Sequence, residues 1–206
     1  MKLDPFYPIV DSSDWLARLL PRGVKLVQLR MKDAKGNVPN DDVQRREISK
    51  ARDMCQAAGC QLIVNDFWQI AIEEKCDFIH LGQEDLDDAD LRSIRRAGLR
   101  LGVSTHSAEE LDRGLSVEPD YIALGPIYPT ILKEMKWQPQ GLEKIGTWKE
   151  RIGDIPLCAI GGISLDRAEG AFKAGADIVS VVTDITLNED PEARTDEWVQ
   201  LTRVWV

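Results

Sequence analysis

The chain has 206 residues, 43% hydrophobic and 30% charged, a composition that suits one globular domain (1–206) with a sizeable core. A net charge of −9 argues against nucleic acid, because phosphate backbones select basic faces, but it leaves room for a positive pocket around a small phosphorylated ligand. Cys55, Cys60, Cys76 and Cys158 lack C-x-x-C spacing, and the start MKLDPFYPIVD has no signal-like apolar run; a reduced, soluble, cytoplasmic protein without a membrane partner is expected.

In chain order, FYPIV (6–10) reads as a first strand and DSSDWLARLL as a helix opened by Ser and Asp. VKLVQLR (24–30) is a second strand, followed by the irregular KDAKGNVPN and a helix, DDVQRREISKARDMCQAAG, that stops on Gly59. QLIVN (61–65), FIHL (78–81) and LRLGVS (99–104) continue the strands, with DDADLRSIRRAG between the last two ending on Gly98. SAEELDRGLS starts on Ser107 with Glu110 three residues on, the spacing of a capping box. YIALG (121–125), PLCAI (156–160) and IVSVV (178–182) complete the series, and SLDRAEGAFKAG ends on Gly175.

Strands this short and this apolar suit a parallel sheet buried on both faces. Eight strand–helix repeats predict an α/β fold, a single-domain (β/α)8 TIM barrel. A doubly wound open sheet should carry a Gly-rich loop after its first strand, where this chain has DSSDW.

In such a barrel the chemistry gathers where strands end. The second strand ends in Gln28, Arg30 and Lys32, which alternate with Leu29 and Met31 and so share one face. The third ends in Asn65 and Asp66, the fourth in His80, Gln83 and Asp85, and the fifth in Ser104, Thr105 and His106. The sixth runs into GPIYPTILK (125–133), a loop stiffened by two prolines that contains Thr130 and ends on Lys133. Gly161-Gly162 and Thr183 follow the seventh and eighth.

Asp66 and Asp85 could each simply cap a following helix. Facing one pocket, however, two carboxylates repel unless a cation or a proton lies between them, and oxygen-only ligands favour Mg2+. Arg30 and Lys32 beside them suit a metal-bridged diphosphate, although solvated rim charges are the commoner fate of such residues. Gly161-Gly162 is either a tight turn or a backbone cradle for a second phosphate. His80 and His106 are too few for a zinc site, and His106 is expected to orient a ligand or a neighbour.

VQLRMK, LIVND, IHLGQEDL, LGVSTHS, LGPIYPT with Lys133, QPQGLEKI and CAIGGIS, in this order over residues 24–183, resemble thiamine phosphate synthase. The resemblance implies a Mg2+-dependent barrel enzyme that joins 4-amino-5-hydroxymethyl-2-methylpyrimidine diphosphate to a thiazole phosphate and releases pyrophosphate. It implies that Gln28, Arg30, Lys32 and Asn65 meet the pyrimidine substrate and its diphosphate. Ser104 would contact the pyrimidine, Lys133 the diphosphate, and Asp66 and Asp85 the Mg2+. Thr130, Gly162, Val182 and Thr183 would cradle the thiazole phosphate. The chain departs from the family's P-T-x-T-K at Leu132, which lacks a hydroxyl worth about 1.5–3 kcal/mol against a charged partner. Two alternatives stay open: a thiazole tautomerase-like isomerase, and a catalytically silent barrel that binds a thiamine precursor. The oligomeric state, homo-oligomers included, is not fixed by sequence.

Overall fold

The computed structural model describes residues 2–33, 35–130 and 137–206. Eight parallel strands close into a barrel in chain order, β1 (Phe6–Val10), β2 (Leu26–Leu29), β3 (Gln61–Asn65), β4 (Phe78–Leu81), β5 (Arg100–Thr105), β6 (Tyr121–Leu124), β7 (Leu157–Ile160) and β8 (Ile178–Val181). Closure comes from β1 pairing with β8 in the register Phe6↔Val179 and Tyr7↔Ser180. Around it lie α1 (Ser13–Leu19), α2 (Asp41–Ala58), α3 (Trp68–Glu73), α4 (Asp85–Asp88), α5 (Leu91–Arg96), α6 (Ala108–Ser116), α7 (Gly141–Ile152), α8 (Leu165–Lys173), α9 (Thr183–Thr186) and α10 (Pro191–Thr202).

Local chemistry sets these boundaries. Asn40 accepts from the Val43 amide to start α2, and Gly59 ends it in the left-handed region at φ +60. The stretch DDADLRSIRRAG, expected as one helix, is two. Asp90 takes the Arg92 and Ser93 amides as the cap of α5, and Ala89 is extended there, which separates α4 from α5. The capping box expected at Ser107 is half made: Ser107 accepts from the Glu110 amide, but the Glu110 carboxylate turns to the amide of His106. Helices α7 and α10 lie in stretches not expected as helices, although Asp190-Pro191 opens α10 as a cap followed by a first-turn proline. The structure ties α7 to the barrel by a bond from Trp148 Nε1 to Thr105 Oγ1 at 2.9 Å, and α10 by stacking Trp198 on Phe6.

The core has two parts. The larger lies between strands and helices. The smaller fills the barrel itself and includes Tyr7, Leu26, Ile63, Phe78, Tyr121, Ala123, Cys158 and Ile178. At β5 the filler is absent by design of the sequence: a Cβ on Gly102 would lie 2.1 Å from the Tyr121 ring, so glycine there makes room for that ring. With a side-chain period of two, the residues two steps beyond this inner layer face inward as well. These are Gln28, Asn65, His80 and Ser104, all on the side where the strands end.

Candidate active site

The rim from β2 to β5 is built from side chains. Arg30 donates Nη1–H to the Lys32 carbonyl at 2.8 Å, and Lys32 Nζ lies 3.2 Å from Asp66 Oδ2. Asp66 has a φ of +64, and the amides of Phe67 and Trp68 close onto the Asn65 and Asp66 carbonyls at 2.8 and 2.7 Å. These are two successive three-residue turns, the first of the rare left-handed kind, and such backbone strain concentrates at functional positions. Neither carboxylate is a helix cap: α3 and α4 have no side-chain cap, and Asp85 Oδ2 accepts from the Gly82 amide at 3.2 Å. Burial, followed by the charge of Asp85, raises the Asp66 carboxyl above the usual aspartate range; Lys32 opposes the rise.

Under this rim runs a buried hydrogen-bonded series. Gln28 Nε2 donates to Tyr7 Oη at 2.7 Å, Tyr7 and Tyr121 hydroxyls are 3.0 Å apart, Tyr121 Oη lies 2.7 Å from His80 Nδ1, and His80 Nε2 lies 2.7 Å from Ser104 Oγ. Burial pushes the His80 imidazole down to about 4, with Arg30 pushing the same way and Asp85 opposing. Gln83 braces the backbone of the same strand end, donating to the Ser104 carbonyl at 2.7 Å. His106 sits one step further out, with Nδ1 2.7 Å from Glu110 Oε2 and its ring stacked on Trp137.

The rim from β6 to β8 is built from backbone. The amides of Ile127 and Tyr128 bond the Ile160 and Gly161 carbonyls at 2.9 and 3.0 Å, laying the proline loop along the end of β7. Gly162 has φ +64, and a Cβ there would lie 2.4 Å from the Pro129 carbonyl oxygen. The tight-turn role considered for the glycine pair is therefore real. Arg167 donates to the Gly162 carbonyl at 2.7 Å and covers the Tyr128 ring. Ser164 at the start of α8 makes no cap bond. Thr130, Val182 and Thr183 are partly buried at this end, while Lys133 and Leu132 lie outside the described residues.

The structure thus brings Gln28, Arg30, Lys32, Asn65, Asp66, Asp85 and Ser104 to one side of the barrel mouth. Sequence reading passed over Tyr7 and Tyr121, counting them as members of apolar runs. Among the described residues no group of three or more His, Cys, Asp or Glu side chains is placed to hold a metal, and no helix is long and apolar enough to cross a membrane. A Mg2+ that keeps waters and ligand phosphates needs only one or two carboxylates, and an Asp66 carboxyl pressed by Asp85 suits a cation.

Comparison with known proteins agrees with this geometry. The sequence profile of the family described as thiamine monophosphate synthase matches residues 6–185. A thiamine-phosphate synthase of Rhizobium etli is 60% identical over 205 residues, covering 100% of this chain and 98% of that protein. One from Enterobacter sp. strain 638 is 46% identical over 195 residues, covering 95% of this chain and 90% of its own. The solved thiamine phosphate pyrophosphorylase of Pyrococcus furiosus superposes with a TM-score of 0.84 at 25% identity, covering 100% of this chain and 98% of that one. With that coverage and a profile spanning all but the ends, the chain belongs to the thiamine monophosphate synthase family, a family of transferases.

Proposed function

We propose that the protein condenses 4-amino-5-hydroxymethyl-2-methylpyrimidine diphosphate with a thiazole phosphate, giving thiamine phosphate and pyrophosphate. The observation that carries this is the rim of β2 to β4, where Lys32 lies 3.2 Å from Asp66 and Asp85 bears on the same carboxyl. The bond that breaks joins the pyrimidine methylene to the diphosphate oxygen, which leaves with the electron pair. The bond that forms uses the lone pair of the thiazole nitrogen, so the positive charge ends on the thiazolium ring. No proton needs to move. A site rich in cations and hydrogen-bond donors is therefore sufficient, with no protein base.

Gln28, Asn65 and Ser104 orient the pyrimidine, whose amino group feeds electron density to the methylene carbon. Arg30, Lys32 and Lys133 bind the diphosphate as its charge develops. Thr130, Gly162, Val182, Thr183 and the uncapped amides opening α8 receive the thiazole phosphate. Asp66 and Asp85 would hold Mg2+, which supplies charge neutralisation to the leaving group when bound. One barrel domain acting in the cytoplasm on two small molecules is enough for this chemistry. The His106–Glu110 pair is a feature that a proton-shifting thiazole isomerase would use instead.

Pyrophosphate release with both substrates and Mg2+ tests the reaction; none from the unsubstituted protein would refute it. Asp85→Ala is expected to lower turnover by about 10²–10³-fold with the fold intact. Near-normal turnover in that variant would remove the metal assignment.

A further inference from the structure

The floor of the site has a direction. Four hydrogen bonds link Gln28, Tyr7, Tyr121, His80 and Ser104 in line, and all of these residues but Ser104 are buried. Each bond needs one hydrogen. An amide nitrogen only donates, so Gln28 Nε2 supplies the first and Tyr7 accepts. The Tyr7 hydrogen is then left for Tyr121, and the Tyr121 hydrogen for His80 Nδ1. With Nδ1 accepting, a neutral imidazole carries its hydrogen on Nε2 and donates it to Ser104 Oγ. An imidazolium would donate from both nitrogens and strand the buried Tyr7 hydrogen, which costs about 1–3 kcal/mol.

From this order we infer that Tyr7, Tyr121 and His80 are positioning residues that make Ser104 a hydrogen-bond donor toward the substrate. His80 donates to one of the two lone pairs of Ser104 Oγ, so the hydroxyl keeps its own hydrogen to give, and Ser104 is only partly buried at the mouth of the barrel. The site can therefore meet a ligand acceptor at that point, such as a ring nitrogen or an ester oxygen, which a Ser104 that donated its hydrogen to His80 could not. This rests on the proposed contact between Ser104 and the pyrimidine substrate. The tautomer beneath it does not.

The test is two-bond 1H–15N NMR of His80 in the ligand-free protein near neutral pH. A neutral ring protonated on Nε2 is expected. A ring protonated on Nδ1, or a cation, would overturn the inference, because either reverses or breaks the order of donors. The readout needs neither substrate nor turnover. An inactive protein with the expected tautomer would count against the proposed reaction alone. In Tyr121→Phe the Nδ1 partner is lost, so both tautomers should appear and kcat/KM should fall about ten-fold. Unchanged values in a folded variant would refute the positioning role, and if the variant does not fold, the unsubstituted protein still decides.

Discussion

The two halves of the barrel mouth are made differently. From β2 to β5 the groups that face the opening are side chains, namely Arg30, Lys32, Asp66, Asp85 and Ser104, held in place by one another and by the buried tyrosines beneath. From β6 to β8 the described groups are largely turns and amides, joined by the side chains of Thr130 and Thr183, and Arg167 braces the Gly162 carbonyl. In the proposed reaction the diphosphate meets the full countercharge of Arg30 and Lys32 from this first half, and of Lys133, which follows β6 in the sequence. A monophosphate can be held by amides, which only close-packed, left-handed backbone presents. On the proposed function, the contrast means that one fold meets two anions with two materials.

Substitution can break this contrast on the backbone side first. Gly162→Ala should cost about 4 kcal/mol, combining left-handed strain with a methyl driven into the Pro129 carbonyl, and should raise KM for thiazole phosphate. Urea unfolding with both Michaelis constants reads it, and a loss confined to the pyrimidine substrate would contradict the division. On the side-chain side, His80 stays neutral in the fold down to about 4 but titrates near 6.5 when unfolded. Its lowered value means that the associated stability is present above pH 6.5 and drains as pH falls toward 4. The loss should be about 3 kcal/mol, and it should be absent from His80→Asn.

Asp66 has the opposite sign. Its folded value is raised, so the carboxyl is tolerated at low pH and destabilises the fold once ionised. Asp66→Asn should therefore stabilise the metal-free protein, Asn tolerating a φ of +64 as Asp does, and Tm should rise while synthesis collapses. A lower Tm would show that the bond to Lys32 outweighs the repulsion. The smallest effect is expected at the loop. Leu132→Thr should lower KM for thiazole phosphate about two- to five-fold, and an unchanged value would mean that another donor already serves.

The strands were legible because each is a short apolar run bounded by polar or glycine residues, and β1, β3 and β4 lie where those runs lie. The charged rim was legible for the same reason: alternation marks which residues share a face. What escaped was chemistry hidden in apolar company. Tyr7 sits within FYPIV and Tyr121 within YIAL, where a ring counts toward burial and its hydroxyl goes unnoticed. Nor could spacing show that Glu110 abandons its cap for His106, since both bonds suit the same sequence. The glycine pair read equally as turn or cradle. Three-dimensional packing against Pro129 settled the first role and left the second compatible with it.

Gly102 and Tyr121 occupy facing positions on β5 and β6, and the ring fills the gap that the missing side chain leaves. The two sites are therefore a lock and its key within one polypeptide. Enlarging the first would evict the phenol that touches His80, so drift at either is answerable to the other.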